Sequence, residues 1–269
     1  MAREQTRERL DEAGVRAKVE ETWPDLNDWI ARTGQPWTPQ PGSPLAAMDS
    51  AATGKWPSAL ARTSLAIGSE HLLTASAYLL NFGPTIFSMQ SLLRTAMLGG
   101  AQVVWMLSPD DPAERANRSA MVARDANWNH HYWVQGLQHP DPEAFDVSRL
   151  PEVRQTLAEL AGDQRRPEVK PTTLVAVACT YVYSVPPDPT ILTECMATWR
   201  GLNAVAHALP WELDTRPEST TVEHDGMRTT ATTATWANLQ AALSFSYAFI
   251  KVGWTLLDRQ SLATPHTPA

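Results

Sequence analysis

Apolar residues recur at three- and four-residue steps near the start of the chain. Val15, Val19, Trp23, Leu26 and Ile30 form one stripe on an otherwise charged rod, which predicts a helix over 3–32. Pro24 falls inside it, where a ring without an N–H kinks a helix. The pattern stops over 34–57, "GQPWTPQPGSPLAAMDSAATGKWP", whose prolines and glycines predict a surface loop or linker. The first helix is therefore expected to dock independently of the rest of the chain. Periodicity then returns over 58–80 and again over 84–107, with Pro84 at a position that suits the first helical residue. "SPDDPAE" opens the next helix, expected to reach about residue 136: Asp111 caps, Pro112 is the first helical residue and Glu114 closes a capping box. Short turns between long helices imply antiparallel neighbours, hence the core of an up-down bundle.

Beyond a Pro-containing loop, "LQHPDPEAF", a short helix is expected near 148–162. The run over 172–185 is open between strand and helix, since its β-branched and aromatic residues favour a strand in a helical neighbourhood. Asp188 and Pro189 then start a helix that ends near Pro210. Asp225–Gly226, between β-prone arms, is the strongest hairpin signal in the chain. A last helix, about 234–260, is apolar nearly all round, and the tail is expected to be disordered. The fold class is thus mainly α, an up-down helical bundle with a small β-hairpin near 219–233. Its organisation is an N-terminal helix (1–33), a linker (34–57), a bundle domain (58–260) and a tail (261–269).

Two apolar runs invite a membrane reading. Arg94, Gln90 and Gln102 interrupt the first, Gln240 and Lys251 the second, and charges at mid-span are costly in lipid, so both are expected to be buried core helices. The N-terminal stretch is charged and lacks the apolar segment of a secretory signal, so the expected location is cytoplasmic. The formal net charge of -7 argues against a broad nucleic-acid surface, and no DNA binding is expected. A local basic groove stays open, because arginine outnumbers lysine and suits phosphate. The two cysteines, Cys179 and Cys195, exclude a disulfide framework and are expected to be reduced and buried.

The polar residues that reach toward chemistry lie in "WRGLNAVAHALPWEL", Trp199 to Leu213. On a helix, positions i and i+7 are about 700° apart, so Arg200 and His207 share a face, with Asn203 between them. Such a trio could hold a phosphodiester: the guanidinium neutralises non-bridging oxygens while the imidazole moves a proton. No metal is required when the nucleophile is the substrate's own 2′-hydroxyl, which restricts the substrate to RNA. A second pair lies in "RDANWNHHYW", where Arg124 and His131 share a face and His130 points about 120° away. Arg94, among apolar residues, needs an acidic or carbonyl partner, for which Glu70 is the nearest candidate. The spacing recurs at Arg259–His266 in the tail, so spacing alone carries little information.

Two segments together, "SLLRTAMLGGAQVVWMLSPDDPAERANR" and "WRGLNAVAHALPWEL", resemble uncharacterised bacterial helical proteins of the HEPN-like type (higher eukaryotes and prokaryotes nucleotide-binding). The resemblance covers roughly 60–260 and implies a helical fold. Active members of the superfamily are metal-independent ribonucleases with an Arg followed by a His a few residues on, paired across a homodimer. Carried over, that motif falls on Arg200 and His207, with Arg124, Asp125 and His130 or His131 as the competing match. Two positions depart from the pattern. Gly201 follows Arg200 where a polar residue is usual, and Leu98 stands where an acidic residue commonly follows the earlier arginine. The resemblance also admits a non-catalytic dimeric scaffold.

The alternative of a different class is a small-molecule enzyme or binder whose aromatic pocket involves Trp128, His130, His131 and Trp133. No cofactor or metal is expected. His71 beside Glu70, His130, His131 and Glu194 could converge, but a Glu-x-x-His pair on a helix is absent. There is no Gly-x-Ser-x-Gly elbow and no Gly-rich phosphate loop. Gly99–Gly100 sits within a helix, where it is expected to let a neighbouring helix approach closely.

Overall fold

The computed structural model describes residues 10–52, 56–136, 169–184, 188–209, 211–214, 216, 218–225 and 227–263. Within them the chain forms α1 (Glu12–Thr33), α2 (Pro44–Ala51), α3 (Pro57–Phe82), α4 (Ser88–Leu107), α5 (Pro112–Gly136), α6 (Pro171–Val182), α7 (Pro189–Ala206), α8 (Trp211–Asp214) and α9 (Trp236–Ser261). The one described sheet is a hairpin, β1 (Thr220–His224) against β2 (Met227–Ala231), in the register Thr220↔Ala231 to His224↔Met227. The fold is mainly α with a small hairpin, and Asp225 takes the positive φ of 51° that a tight hairpin turn requires. The expected helix near 148–162 and the tail beyond residue 263 lie outside the described residues.

Helix α4 is the centre. It packs on α3, α5, α6, α7 and α9, and its face of Leu93, Ala96, Met97, Ala101 and Val104 is sealed from solvent. The two apolar runs that invite a membrane reading are α4 and the buried α9 packed on it, and no described helix is long and apolar enough to cross a membrane. Small residues set the closeness of that seam. A Cβ on Gly100 would lie 2.6 Å from the Ile250 nitrogen, and one on Gly99 2.5 Å from the Ser64 carbonyl oxygen. Polar groups along it are paired: Ser246 donates to the Leu93 carbonyl at 3.0 Å, and Trp254 Nε1 to Ser69 Oγ at 3.2 Å.

Several boundaries differ from the periodicity reading, each for a local reason. Pro84 does not begin α4. The chain leaves α3 at Gly83, φ 83°, and uses the next residues to reverse, so α4 begins at Ser88, with Thr85 Oγ1 accepting from the Met89 N–H at 3.2 Å. At α5, Asp111 caps as expected, accepting from Ala113 N–H at 3.0 Å. Glu114 instead accepts from Arg118 Nε at 2.7 Å. The open run over 172–185 is helix α6. Leu174, Val175, Ala178 and Cys179 are buried at helical spacing against α4 and α7, and that burial outweighs β-propensity. The stretch over 34–57 contains α2, whose Leu45 and Met48 are buried against α3 and α9.

Helix α1 lies on α3 and α9. Arg32 binds Asp258 at 3.2 and 2.5 Å and stacks 4.2 Å over Trp254. Tyr247 donates to Asp25, and Lys251 Nζ reaches both, at 2.9 Å to Asp25 Oδ2 and 3.0 Å to the Tyr247 oxygen. These contacts hold α1 in place as one wall of a cleft.

Candidate functional site: a cleft between α1, α7 and α9

Helix α7 starts where Asp188 accepts from Thr190 N–H at 2.8 Å. Its apolar spacing puts Cys195, Trp199 and Leu202 in the core. Trp199 is sealed, donating from Nε1 to Thr172 Oγ1 at 3.3 Å. Cys179 and Cys195 are buried and not joined in a disulfide; Cys195 is pushed up in pKa by its hydrogen bond with Cys179 and by burial.

The helix stops earlier than the reading to Pro210. His207 is its C-cap, Ala208 N–H bonds to the Val205 carbonyl at 3.0 Å, and Leu209 N–H to the Ala204 carbonyl at 2.8 Å. That is a Schellman stop, with Ala208 at φ 54° in the place glycine usually takes.

The trio on this helix is divided by its surroundings. Arg200 and His207 are both exposed, and neither has a side-chain hydrogen bond or ion pair among the described residues. Asn203 is committed elsewhere: its Oδ1 accepts from Arg94 Nε at 2.6 Å, while the Arg94 guanidinium stands 5.3 Å over the Trp199 ring. This corrects the expected partner of Arg94. Glu70 is exposed on α3, whereas α7 covers the Arg94 side of α4 and supplies a carboxamide oxygen instead of a carboxylate.

A cleft of about 1080 Å³ opens between α1, α7, α8 and α9, with α3 and α4 beneath it. Arg200 and Trp211, both exposed, line its mouth; Leu72, Ser76, Gln90 and Leu202, all buried, line its floor. Among the described residues the lining includes neither Asn203 nor His207, and nothing from α5. Its other cations are engaged. Lys18 binds Glu21 at 2.8 Å. Arg216, buried, binds both Glu212 oxygens, the closest at 2.7 Å, and donates to the Ile86 carbonyl at 3.2 Å. Tyr247 also lines the cleft; burial, and then its bond to Asp25, raise its pKa. Asp25 is lowered by the Tyr247 and Lys251 hydrogen bonds, and Lys251 is raised by its bonds to Tyr247 and Asp25.

The second candidate cluster is elsewhere. Helix α5 packs on α3 and α4, while α7 packs on α4, α6 and α9. Arg124 is exposed, Asp125 accepts from Asn129 Nδ2 at 3.1 Å, and Trp128 is half-buried with a partner. His130 stacks on Trp133 at 5.9 Å, and Trp133 faces solvent. The His131 side chain lies outside the described residues. The described aromatic and imidazole groups of "NWNHHYW" therefore do not line the cleft. The rings that do are Tyr183, Trp211 and Tyr247, of which only Trp211 falls in a stretch singled out above for its chemistry. Among the described residues no three His, Cys, Asp or Glu side chains converge to hold a metal ion.

Comparison with protein-family models, with curated proteins and with solved structures finds no match to this chain. Fold and cleft together define a class only: a mainly α-helical protein with an open, mixed apolar and polar cleft inside one chain.

Proposed function

We propose that this protein binds a small anionic organic ligand in the cleft, with Arg200 holding the negative charge at its mouth. One observation carries the reading: of the cleft's three cations, Lys18 and Arg216 are already paired, and Arg200 has no partner among the described residues. A guanidinium at the mouth of a cleft supplies charge-assisted hydrogen bonds to a carboxylate or phosphate. The volume is at the upper end of what small-molecule sites use, and the rings of Tyr183, Trp211 and Tyr247 offer flat apolar walls. The probe is decanoate, followed by calorimetry. It should bind saturably, and Arg200→Gln should weaken it by about tenfold or more. Equal affinity in wild type and Arg200→Gln overturns the reading.

A HEPN-like, metal-independent ribonuclease is the second reading. It is favoured by the exposure of both Arg200 and His207 on the same end of α7. The two lie about 10 Å apart along the helix axis, so a phosphodiester would have to bridge them over Asn203, which Arg94 already holds. A second copy of the chain, bringing its own pair, would relieve that separation. RNA cleavage in EDTA that is present in wild type and lost in His207→Ala supports this reading. Equal cleavage, or none in either, removes it.

A further inference from the structure

Resting on the reading of an anion-binding cleft, the geometry points to a more specific ligand: we propose an elongated amphipathic acid whose buried end is a neutral hydrogen-bond donor, read by Ser76 and Gln90. Both side chains line the cleft and are almost sealed, at 1% and 6% exposure. Gln90 spends its Nε2 on the Ile86 carbonyl at 3.1 Å, and its Oε1 accepts nothing among the described residues. The Ser76 hydroxyl has no partner there either, although Ser69 on the same helix and Ser246 on α9, both buried, are bonded. The sealed side-chain atoms without a partner among the described residues lie elsewhere, at Arg115 Nε, Ser119 Oγ and Thr232 Oγ1; the Ser76 and Gln90 oxygens instead open onto the cleft, where a ligand atom can meet them.

Their chemistry specifies that atom. A free carboxamide oxygen only accepts, so the ligand must donate to it; a serine hydroxyl can donate or accept. The donor must be uncharged, because a cation buried here would find every cleft carboxylate taken. Glu21 holds Lys18, Glu212 holds Arg216, and Glu194 has a partner of its own. A hydroxyl or an amide N–H fits; an ammonium does not. Leu72, Leu202 and Leu243, which also line the cleft, require an apolar body. Ser76 and Gln90 are therefore specificity residues, and Arg200 is the charge anchor.

The test compares ω-hydroxy fatty acids, from ω-hydroxyoctanoate to ω-hydroxydodecanoate, with the unsubstituted acids of equal length by calorimetry on the full chain. In wild type the best-fitting hydroxy acid should bind about tenfold tighter than its plain counterpart. Gln90→Met should bring the two to parity, and Ser76→Ala should reduce the preference without loss of fold by circular dichroism. Arg200→Gln should weaken both acids alike and leave their ratio intact. If plain and hydroxy acids bind wild type equally, yet both still depend on Arg200, the cleft reading stands and this inference is overturned. If a preference exists but survives both floor variants, the inference is overturned as well. If no acid binds, or Arg200→Gln changes nothing, the cleft reading fails and takes the inference with it.

Discussion

Two regions built from the same helices differ in one respect. Along the α3–α4–α9 seam, backbones approach closely enough that a single methyl would collide, and the polar side chains that enter it, Ser69 and Ser246, are hydrogen-bonded. Two helical turns from Ser69, on the same face of α3, Ser76 enters the cleft floor and has no partner among the described residues. A core and a site can share residue types, burial and even a helix. What separates these two regions is that the seam serines are hydrogen-bonded within the protein, whereas Ser76 opens onto the cleft, where a ligand or water can meet it.

The sharpest way to break that contrast is to place one methyl in each region. A Cβ on Gly100 meets Ile250 N at 2.6 Å and Phe249 C at 2.7 Å, backbone atoms that cannot swing aside. Gly100→Ala should therefore cost about 3 kcal/mol by urea unfolding. A Cβ on Gly201, in the cleft wall, meets nothing nearer than Glu212 Cγ at 3.7 Å. Gly201→Ala should stabilise by about 0.5–1 kcal/mol, the ordinary gain for a helix interior. If the two cost the same, the seam is not tighter than the cleft wall.

The stop of α7 offers a smaller effect. Ala208 adopts φ 54°, a conformation its Cβ disfavours. Ala208→Gly should gain about 1 kcal/mol, read as an upward shift in thermal midpoint of about 2–4 °C. The smallest effect concerns the clamp of α1 on the cleft. Asp25 has a lowered pKa in the folded chain, from the Tyr247 and Lys251 hydrogen bonds. A depressed carboxylate contributes stability that is present above about pH 4 and is lost as pH falls through its folded value. Lys251 and Asp25 are both well exposed, so solvent screening holds the contribution to roughly a few tenths of a kcal/mol. Asp25→Asn should lower stability by that amount at neutral pH and leave it unchanged below the folded pKa of Asp25, flattening the acid limb of the stability curve.

Local rules make much of the fold legible. Asp111 and Asp188 each cap their helix through neighbours two residues on, and Asp225 turns a hairpin whose two arms adjoin it. The helical state of 172–185 is also present in the spacing of Leu174, Val175, Ala178 and Cys179, though β-branched side chains obscure it. The candidate site is far less legible. Arg200 stands out in the sequence, but through a spacing to His207 that does not bring His207 to the cleft. Arg94 finds Asn203, 109 positions away, in place of Glu70 on the preceding helix. Ser76 and Gln90 leave one signal, a polar residue inside an apolar stripe on each helix, which by itself reads as an ordinary core position.

The pattern of apolar and polar residues determined by itself that this chain is a helical bundle with one hairpin, because hydrogen bonds, caps and periodicity act within a few residues. Only the tertiary structure decided which helices wall a cleft, which arginine at its mouth has no partner among the described residues, and which polar side chains open onto its floor. Satisfaction of a side chain depends on what distant segments bring to it, and no local stretch of sequence contains that information.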